Sequence, residues 1–189
     1  MKNQTLRVIG GELKSRKISF PNISGISLRP TSDRTRETLF NWLAFDIVNA
    51  CCLDAFAGSG LLGIEALSRG ARECTFYEVN RIVFNKLKSN IHLLSLQSKS
   101  KLNPKPFSLK TTEQNQQYDL IFLDPPFNKN LLIESLNIIQ TNKLLKQNGK
   151  IYFETEASFD LQSLEKDWEI LKNKKSGEVV FGLLTNKNS

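Results

Sequence analysis

Asp124-Pro125-Pro126-Phe127 follows a buried-type apolar stretch at residues 119–123, and its four residues together suit the holding of a planar amine. An exocyclic amino nitrogen is a poor nucleophile because its lone pair is conjugated into the ring. If the Asp124 carboxylate and the Pro125 carbonyl both accept N–H bonds from it, the lone pair is aimed outward. Proline supplies that carbonyl with no competing N–H. Phe127 offers the base a stacking face, worth roughly 1–3 kcal/mol in single-stranded recognition. Positioning for in-line attack on an activated methyl donor then carries much of the rate. Asp124 orients the amine and stabilises charge developing on nitrogen more than it abstracts a proton. Asp124, Pro125, Pro126 and Phe127 are therefore the candidate catalytic residues. A plain strand-ending turn is the competing account, since proline cannot continue a ladder. Against it, a D/N/S-P-P-aromatic match arises by chance roughly once in a hundred such chains or less, given about 5% proline.

A second group of unusual residues is Asp54-Ala55-Phe56-Ala57-Gly58-Ser59-Gly60-Leu61-Leu62-Gly63, with Glu78 closing the next apolar stretch. Glycines let the chain turn sharply into a helix and let a ligand approach bare backbone. A carboxylate at a neighbouring strand end can accept two ribose hydroxyls. Gly58, Gly60 and Gly63 also spell G-x-G-x-x-G with Glu78 following, so a nicotinamide dehydrogenase is the rival. Asp54 argues against it, because a carboxylate there repels a pyrophosphate and suits a cationic amino-acid ligand. Asp54, Phe56, Gly58, Gly60 and Glu78 are the candidate cofactor-binding residues.

The elements that must position these groups alternate. A hairpin is expected from 6–9 and 16–18, with Gly10 and Gly11 near its turn, then a loop over 21–30. Ser32 and Asp33 suit the start of a helix carrying Leu39, Phe40, Leu43, Ala44 and Ile47 on one face. A strand over 50–56 precedes a helix over 61–69 that stops at Gly70. A strand over 74–77 follows, then a helix with Val83, Leu87, Ile91 and Leu94 on one face, then a strand candidate at 107–109. After the 119–123 strand come a helix over 130–145, a strand at 151–153 and a hairpin of 168–171 with 179–184. Strands alternating with helices predict an α/β domain with a mainly parallel sheet covered on both faces. Residues 1–30 read as a basic hairpin and loop, and residues 31–189 as one main domain.

Charge is unevenly spread. Residues 1–36 hold eight Lys and Arg against Glu12 and Asp33, which is +6 of a whole-chain +7. A basic segment on a nearly neutral body predicts a polyanion-binding arm, although a solubilising surface has the same composition. Arg7, Lys14, Arg16, Lys17, Arg29, Arg34 and Arg36 are the candidate polyanion contacts, which the family resemblance given below makes RNA contacts; for Arg36, pairing with a carboxylate to hold the helix on the core is the alternative. Cys51, Cys52 and Cys74 lack C-x-x-C spacing and His92 is the single histidine, so buried thiols and no metal site are expected. No apolar run approaches the roughly 18–20 residues of a membrane span, and the N-terminus lacks a signal-peptide core. A cytoplasmic enzyme is the expectation.

Segments 6–11, 28–43, 52–60 and the tetrapeptide resemble the RsmD family of bacterial methyltransferases, which act on guanine N2 in 16S ribosomal RNA. The resemblance runs over about residues 6–184. It implies the class I methyltransferase fold, Rossmann-like, with a mainly parallel seven-stranded sheet. It implies S-adenosylmethionine as cofactor, held by Asp54 through Gly60 and by Glu78. It also implies a target guanine at Asp124 through Phe127, and 16S rRNA in the small ribosomal subunit or its assembly intermediate as partner. A DNA adenine-N6 or cytosine-N4 methyltransferase is the alternative, because such enzymes use the same tetrapeptide. A non-enzymatic assembly factor is a third reading, disfavoured by intact Asp54, Gly58, Gly60, Glu78 and Asp124. One departure is 107–112, Phe107-Ser108-Leu109-Lys110-Thr111-Thr112, where the family usually carries a short Asp- or Asn-bearing motif near the adenine.

Overall fold

The computed structural model describes residues 3–21, 31–112, 116–127 and 130–187. Its elements run β1 (Asn3–Arg7), β2 (Lys17–Pro21), α1 (Asp33–Trp42), β3 (Cys51–Asp54), α2 (Leu61–Ser68), β4 (Glu73–Tyr77), α3 (Arg81–Leu93), β5 (Ser100–Asn103), β6 (Tyr118–Leu123), α4 (Leu131–Thr141), β7 (Leu145–Glu156), β8 (Trp168–Ser176) and β9 (Val179–Asn186). The described strands form a β1–β2 hairpin and a seven-stranded sheet in the order β5-β4-β3-β6-β7-β9-β8. The β5-β4-β3-β6-β7 strands are parallel neighbours, and β9 enters antiparallel between β7 and β8. The strand order reverses at β3, so the carboxyl ends of β3 and β6 flank the crevice where open α/β sheets bind ligands.

Side-chain alternation along the strands gives each sheet face its own core. Cys52, Cys74, Leu120, Phe122 and Tyr152 pack with Leu39 and Phe40 of α1, Ile64 of α2 and Leu87 of α3. Val8 and Ile18 of the hairpin belong to the same cluster. On the other face, Leu53, Ile121, Ile151 and Phe153 pack with Leu132, Leu136 and Ile139 of α4. The three cysteines are free and buried in these layers. Ser32 caps α1 by accepting the Thr35 N–H at 3.1 Å, and Asn80 caps α3 by accepting those of Ile82 and Val83. Among the described residues no helix is long and apolar enough to cross a membrane.

Three expectations are corrected. The strand beside β4 is Ser100–Asn103, not 107–109. As a half-exposed edge strand it lacks the apolar run that marks a central one; Phe107 instead buries edge-on against Tyr77, at 5.6 Å between ring centroids. Helix α4 ends at Thr141, because Leu144 and Leu145 are buried from the strand side and Leu145 already pairs with Tyr118. The β6–β7 register then shifts, and pairing resumes at Leu120 with Lys150. Ala44 is exposed, since α1 stops at Trp42 before its apolar stripe is complete.

Candidate active site

Register sets a row of carboxylates along the carboxyl edge of the sheet. Asp54 on β3 lies level with Phe76 on β4 and Phe122 on β6, and Phe122 lies level with Tyr152 on β7. Two residues further along the same chains come Glu78, Asp124 and Glu154. Asp54, Glu78 and Asp124 thus stand at the ends of three adjacent parallel strands, with Glu154 inside β7 beside them, an arrangement that suits cationic and N–H-rich ligands.

Asp54 is buried and its Oδ2 accepts the Gly63 N–H at 3.1 Å, which ties the loop to the first turn of α2. Burial, with Glu78's charge adding, raises its carboxyl to about 7 against the pull of the Gly63 and Phe56 N–H groups. Gly60 precedes α2 at φ 84°, a conformation few side-chain-bearing residues adopt. Gly63 is required by packing: a Cβ there would lie 2.3 Å from the Phe76 ring. Above Gly58, by contrast, the space is open, and a Cβ would meet only the Phe20 ring at 4.0 Å. Phe56 is half-buried in the same loop. Glu78 accepts the Gly58 N–H at 3.0 Å and the Asn80 N–H at 2.7 Å, so it closes the loop against α3. Burial raises its carboxyl despite these bonds. Val79 and Ile82 beside it are exposed apolar side chains, 69% and 50% accessible, which sequence reasoning passed over.

Asp124 is half-buried and its Oδ2 accepts the Thr31 hydroxyl at 3.1 Å, so the residue just before α1 reaches the tetrapeptide. Burial raises the Asp124 carboxyl well above the usual range, and the charges of Glu154 and Asp54 add to it against Thr31's bond. Glu154 is nearly buried and its Oε1 accepts the Tyr152 hydroxyl at 2.6 Å. Pro125 is buried, Pro126 exposed and Phe127 half-buried. A small cleft lies against the tetrapeptide, lined by Pro125, Phe127, Leu132, Thr155 and Phe159. Thr31 and Glu154 are the neighbours the sequence concealed. The signal for Glu154 was a lone acid directly after the apolar 151–153 stretch.

The basic candidates separate into two kinds. Lys14, Arg16, Lys17 and Arg34 are exposed, and Arg7 is 68% accessible while pairing with Asp33 at 2.9 Å. Arg36 is corrected: it is wholly buried, with Nη1 donating to Glu65 at 3.1 Å and Nη2 to Asp33 at 2.6 Å. A side chain in that position cannot reach a phosphate. Glu65 also accepts the Ile9 N–H and Arg69 Nε, each at 2.9 Å, so α1, α2 and the hairpin converge on one buried carboxylate. Arg29 lies outside the described residues, as does most of the expected 21–30 loop.

The family model described as conserved hypothetical protein 95 matches residues 6–185. The ribosomal RNA small subunit methyltransferase D of Escherichia coli is 40% identical over 178 residues, covering 94% of this chain and 88% of that one. The chain belongs to that family. The methyltransferase D of Haemophilus influenzae is 43% identical over 184 residues, 96% of this chain and 94% of its own. The solved structure of yhhF from Escherichia coli, 37% identical, superposes with a TM-score of 0.87 over 98% of this chain and 100% of that one. As a family member the chain is a methyltransferase with the class I fold, and the inserted antiparallel β9 distinguishes its sheet from a dinucleotide-binding one. The family match begins within β1, so the basic hairpin belongs to the shared architecture.

Proposed function

We propose that this enzyme transfers the methyl group of S-adenosylmethionine to the exocyclic N2 of a guanine in 16S ribosomal RNA, within the small subunit or an assembly intermediate, in the cytoplasm. The observation that carries the reading is the single row of Asp54, Glu78 and Asp124 at adjacent strand ends. The residues fit the cofactor. The open space over Gly58 admits a ligand, Asp54 lies beneath the loop where an ammonium would be welcome, and exposed Val79 and Ile82 flank Glu78 with apolar ground for an adenine. Asn103, at the end of β5, borders that ground, its carbonyl accepting the Glu78 N–H. The cofactor supplies an already activated methyl group. The chain's part is to hold the amine, with Asp124 and the Pro125 carbonyl accepting its N–H bonds and Phe127 stacking on the base.

Methyl transfer from labelled cofactor onto small-subunit particles, naked 16S rRNA and duplex DNA tests this, with the modified base mapped. Label on guanine N2 in an RNA arm is expected. Label confined to adenine or cytosine of DNA would overturn it.

Cofactor binding is expected to be selective for S-adenosylmethionine and S-adenosylhomocysteine over NAD, and Glu78→Ala should weaken it. The pH dependence follows from Asp54. In the free protein that group keeps its proton up to about 7, so its contribution to stability falls as pH rises from its ordinary range, near 4, through 7. A cationic ligand favours the ionised form. Affinity should therefore strengthen with pH, by up to about tenfold per unit below about 7, and calorimetry in buffers of different ionisation heat should detect proton release. Flat affinity across that window would separate Asp54 from the ligand's charge.

For RNA, affinity should fall as a power of salt concentration, with a slope of about −0.7 to −0.9 per phosphate neutralised. Exchanging Arg16 and Lys17 for Ser should flatten that slope by about 1.4–1.8 and leave cofactor affinity intact. An unchanged slope would reduce the hairpin's charge to a solubilising surface.

A further inference from the structure

Three cations at the far end of the sheet have no part in cofactor binding, in the tetrapeptide or in the N-terminal hairpin. Lys172, Lys174 and Lys175 close β8 and lead into the turn at Gly177 and Glu178, and all three are exposed. Among the described residues none of them belongs to an ion pair. Strands β7 and β8 both run antiparallel to β9, so β8 ends at the same carboxyl edge as the acidic row. Ser176 pairs with Val179, and Val179 with Glu156 at the end of β7. Glu178 ties the turn to that edge by accepting the Ala157 N–H at 2.8 Å, and Thr155 and Phe159, on either side of Ala157, line the cleft against the tetrapeptide. The lysines thus stand three strand spacings from β6, roughly 14 Å along the edge. A Cβ at Gly177 would meet nothing within 4 Å, so the tip of the turn stands clear of the body.

Lysines on an edge strand commonly serve only to keep a second sheet from pairing with it. That role asks for charge along the open strand. Here the first half of β8, Trp168-Glu169-Ile170-Leu171, holds one acid and no cation, and the lysines gather at the end nearest the site. The acidic row gives that gathering a use. Asp54, Glu78, Asp124 and Glu154 offer a phosphate no counter-charge in either protonation state, so a polyanion whose base enters there has to be held from the flanks. Phosphate contacts fix the register of a strand without reading its sequence, and they hold it while one base is extruded. One flank is the N-terminal hairpin. It docks on α3, where Asn90 bonds both the N–H and the carbonyl of Ser19, and on α2 through Ser68, which bonds Leu13 and Gly10. Those helices precede and follow β4, on the opposite side of β6 from β8. The other flank is the one that carries the lysines.

We propose that Lys172, Lys174 and Lys175 form a second phosphate-binding surface, which holds the RNA backbone on the β8 side of the target base while the N-terminal hairpin holds it on the other. The proposal rests on the reading of the substrate as RNA.

The test is the salt dependence of binding to naked 16S rRNA, measured on the full chain by filter retention. Lys174→Ser with Lys175→Ser should flatten the slope by about 1.4–1.8, the share of two phosphates. Combined with the exchange of Arg16 and Lys17 for Ser, the losses should add to about 2.8–3.6, because the two surfaces hold different phosphates. Lys174→Arg with Lys175→Arg should keep the wild-type slope. Lys174→Glu with Lys175→Glu keeps a charged edge strand, and with it any edge protection, yet should weaken RNA binding further than the serine pair does. Affinity for S-adenosylhomocysteine should hold in every variant and serves as the check on folding. A serine pair that leaves the slope unchanged, where the hairpin variant flattens it, would reduce the lysines to edge protection and leave the RNA reading standing. A wild type whose binding to the RNA is absent or independent of salt would overturn the RNA reading and this proposal together.

Discussion

Replacing Asp124 by alanine is expected to lower the methyl-transfer rate by about a hundredfold to a thousandfold, the scale on which one preorganised polar contact to a developing charge acts. Cofactor affinity should stay nearly unchanged, because Asp54 and Glu78 stand on β3 and after β4 while Asp124 follows β6. A loss in turnover without a loss in ground-state binding marks an interaction made in the transition state. Asp124→Asn should retain part of the activity, since an amide oxygen still accepts an N–H bond. It also removes the cost of ionising a buried carboxyl beside Glu154 and keeps an acceptor for the Thr31 hydroxyl. The asparagine variant should consequently melt no lower than the wild type, and any loss of rate cannot then be laid to unfolding. Single-turnover rates and cofactor calorimetry on both variants decide the matter. Equal, near-complete loss in both would mean that the carboxylate must take a proton, and unchanged rates in both would remove the tetrapeptide from the chemistry.

The parts of this site that were legible in the sequence are those whose signals are local. Gly58, Gly60 and Gly63 announce a strand-to-helix turn because backbone conformation and close packing act within a few residues, and the glycines sit where the structure needs them. Asp124 through Phe127 is equally local. Thr31 and Glu154 were not legible as partners of Asp124, because the contact spans 93 residues in one case and a neighbouring strand in the other. Only the sheet order and register bring them together. Strand β5 was misplaced for a related reason: Ser100–Asn103 gains its identity from pairing with β4 at a sheet edge, and its half-exposed residues carry no apolar run. The charge count of the first 36 residues was right as arithmetic. For Arg36 the alternative reading, a carboxylate pair that holds the helix on the core, is the one the structure has, and burial, which composition does not reveal, withdraws it from that sum.

Arg36→Ala is expected to destabilise the fold by about 3–5 kcal/mol, the cost of removing one partner of a buried pair. Glu65 would be left buried, its charge answered by Arg69 and the Ile9 N–H alone. For a chain of this size, a melting temperature lower by roughly 6–20 °C corresponds to that loss. Arg7→Ala is the internal comparison, because it removes the other arginine from the same Asp33. That pair is exposed, and its loss should cost less than about 1 kcal/mol. Asp33's carboxyl lies below its ordinary range because the hydrogen bonds and charges of Arg7 and Arg36 together outweigh its partial burial. The stability it contributes is thus present above the usual carboxylate range and is lost as pH falls through its lowered one. Salt should distinguish the two variants as well, since screening acts on the exposed pair and hardly on the buried one. Denaturant unfolding and RNA binding on each variant give the decision. If Arg36→Ala kept wild-type stability and lost RNA affinity with a flatter salt slope, the arginine would have to leave its buried site to meet phosphate. The convergence of α1, α2 and the hairpin on Glu65 would then be a latch rather than a core.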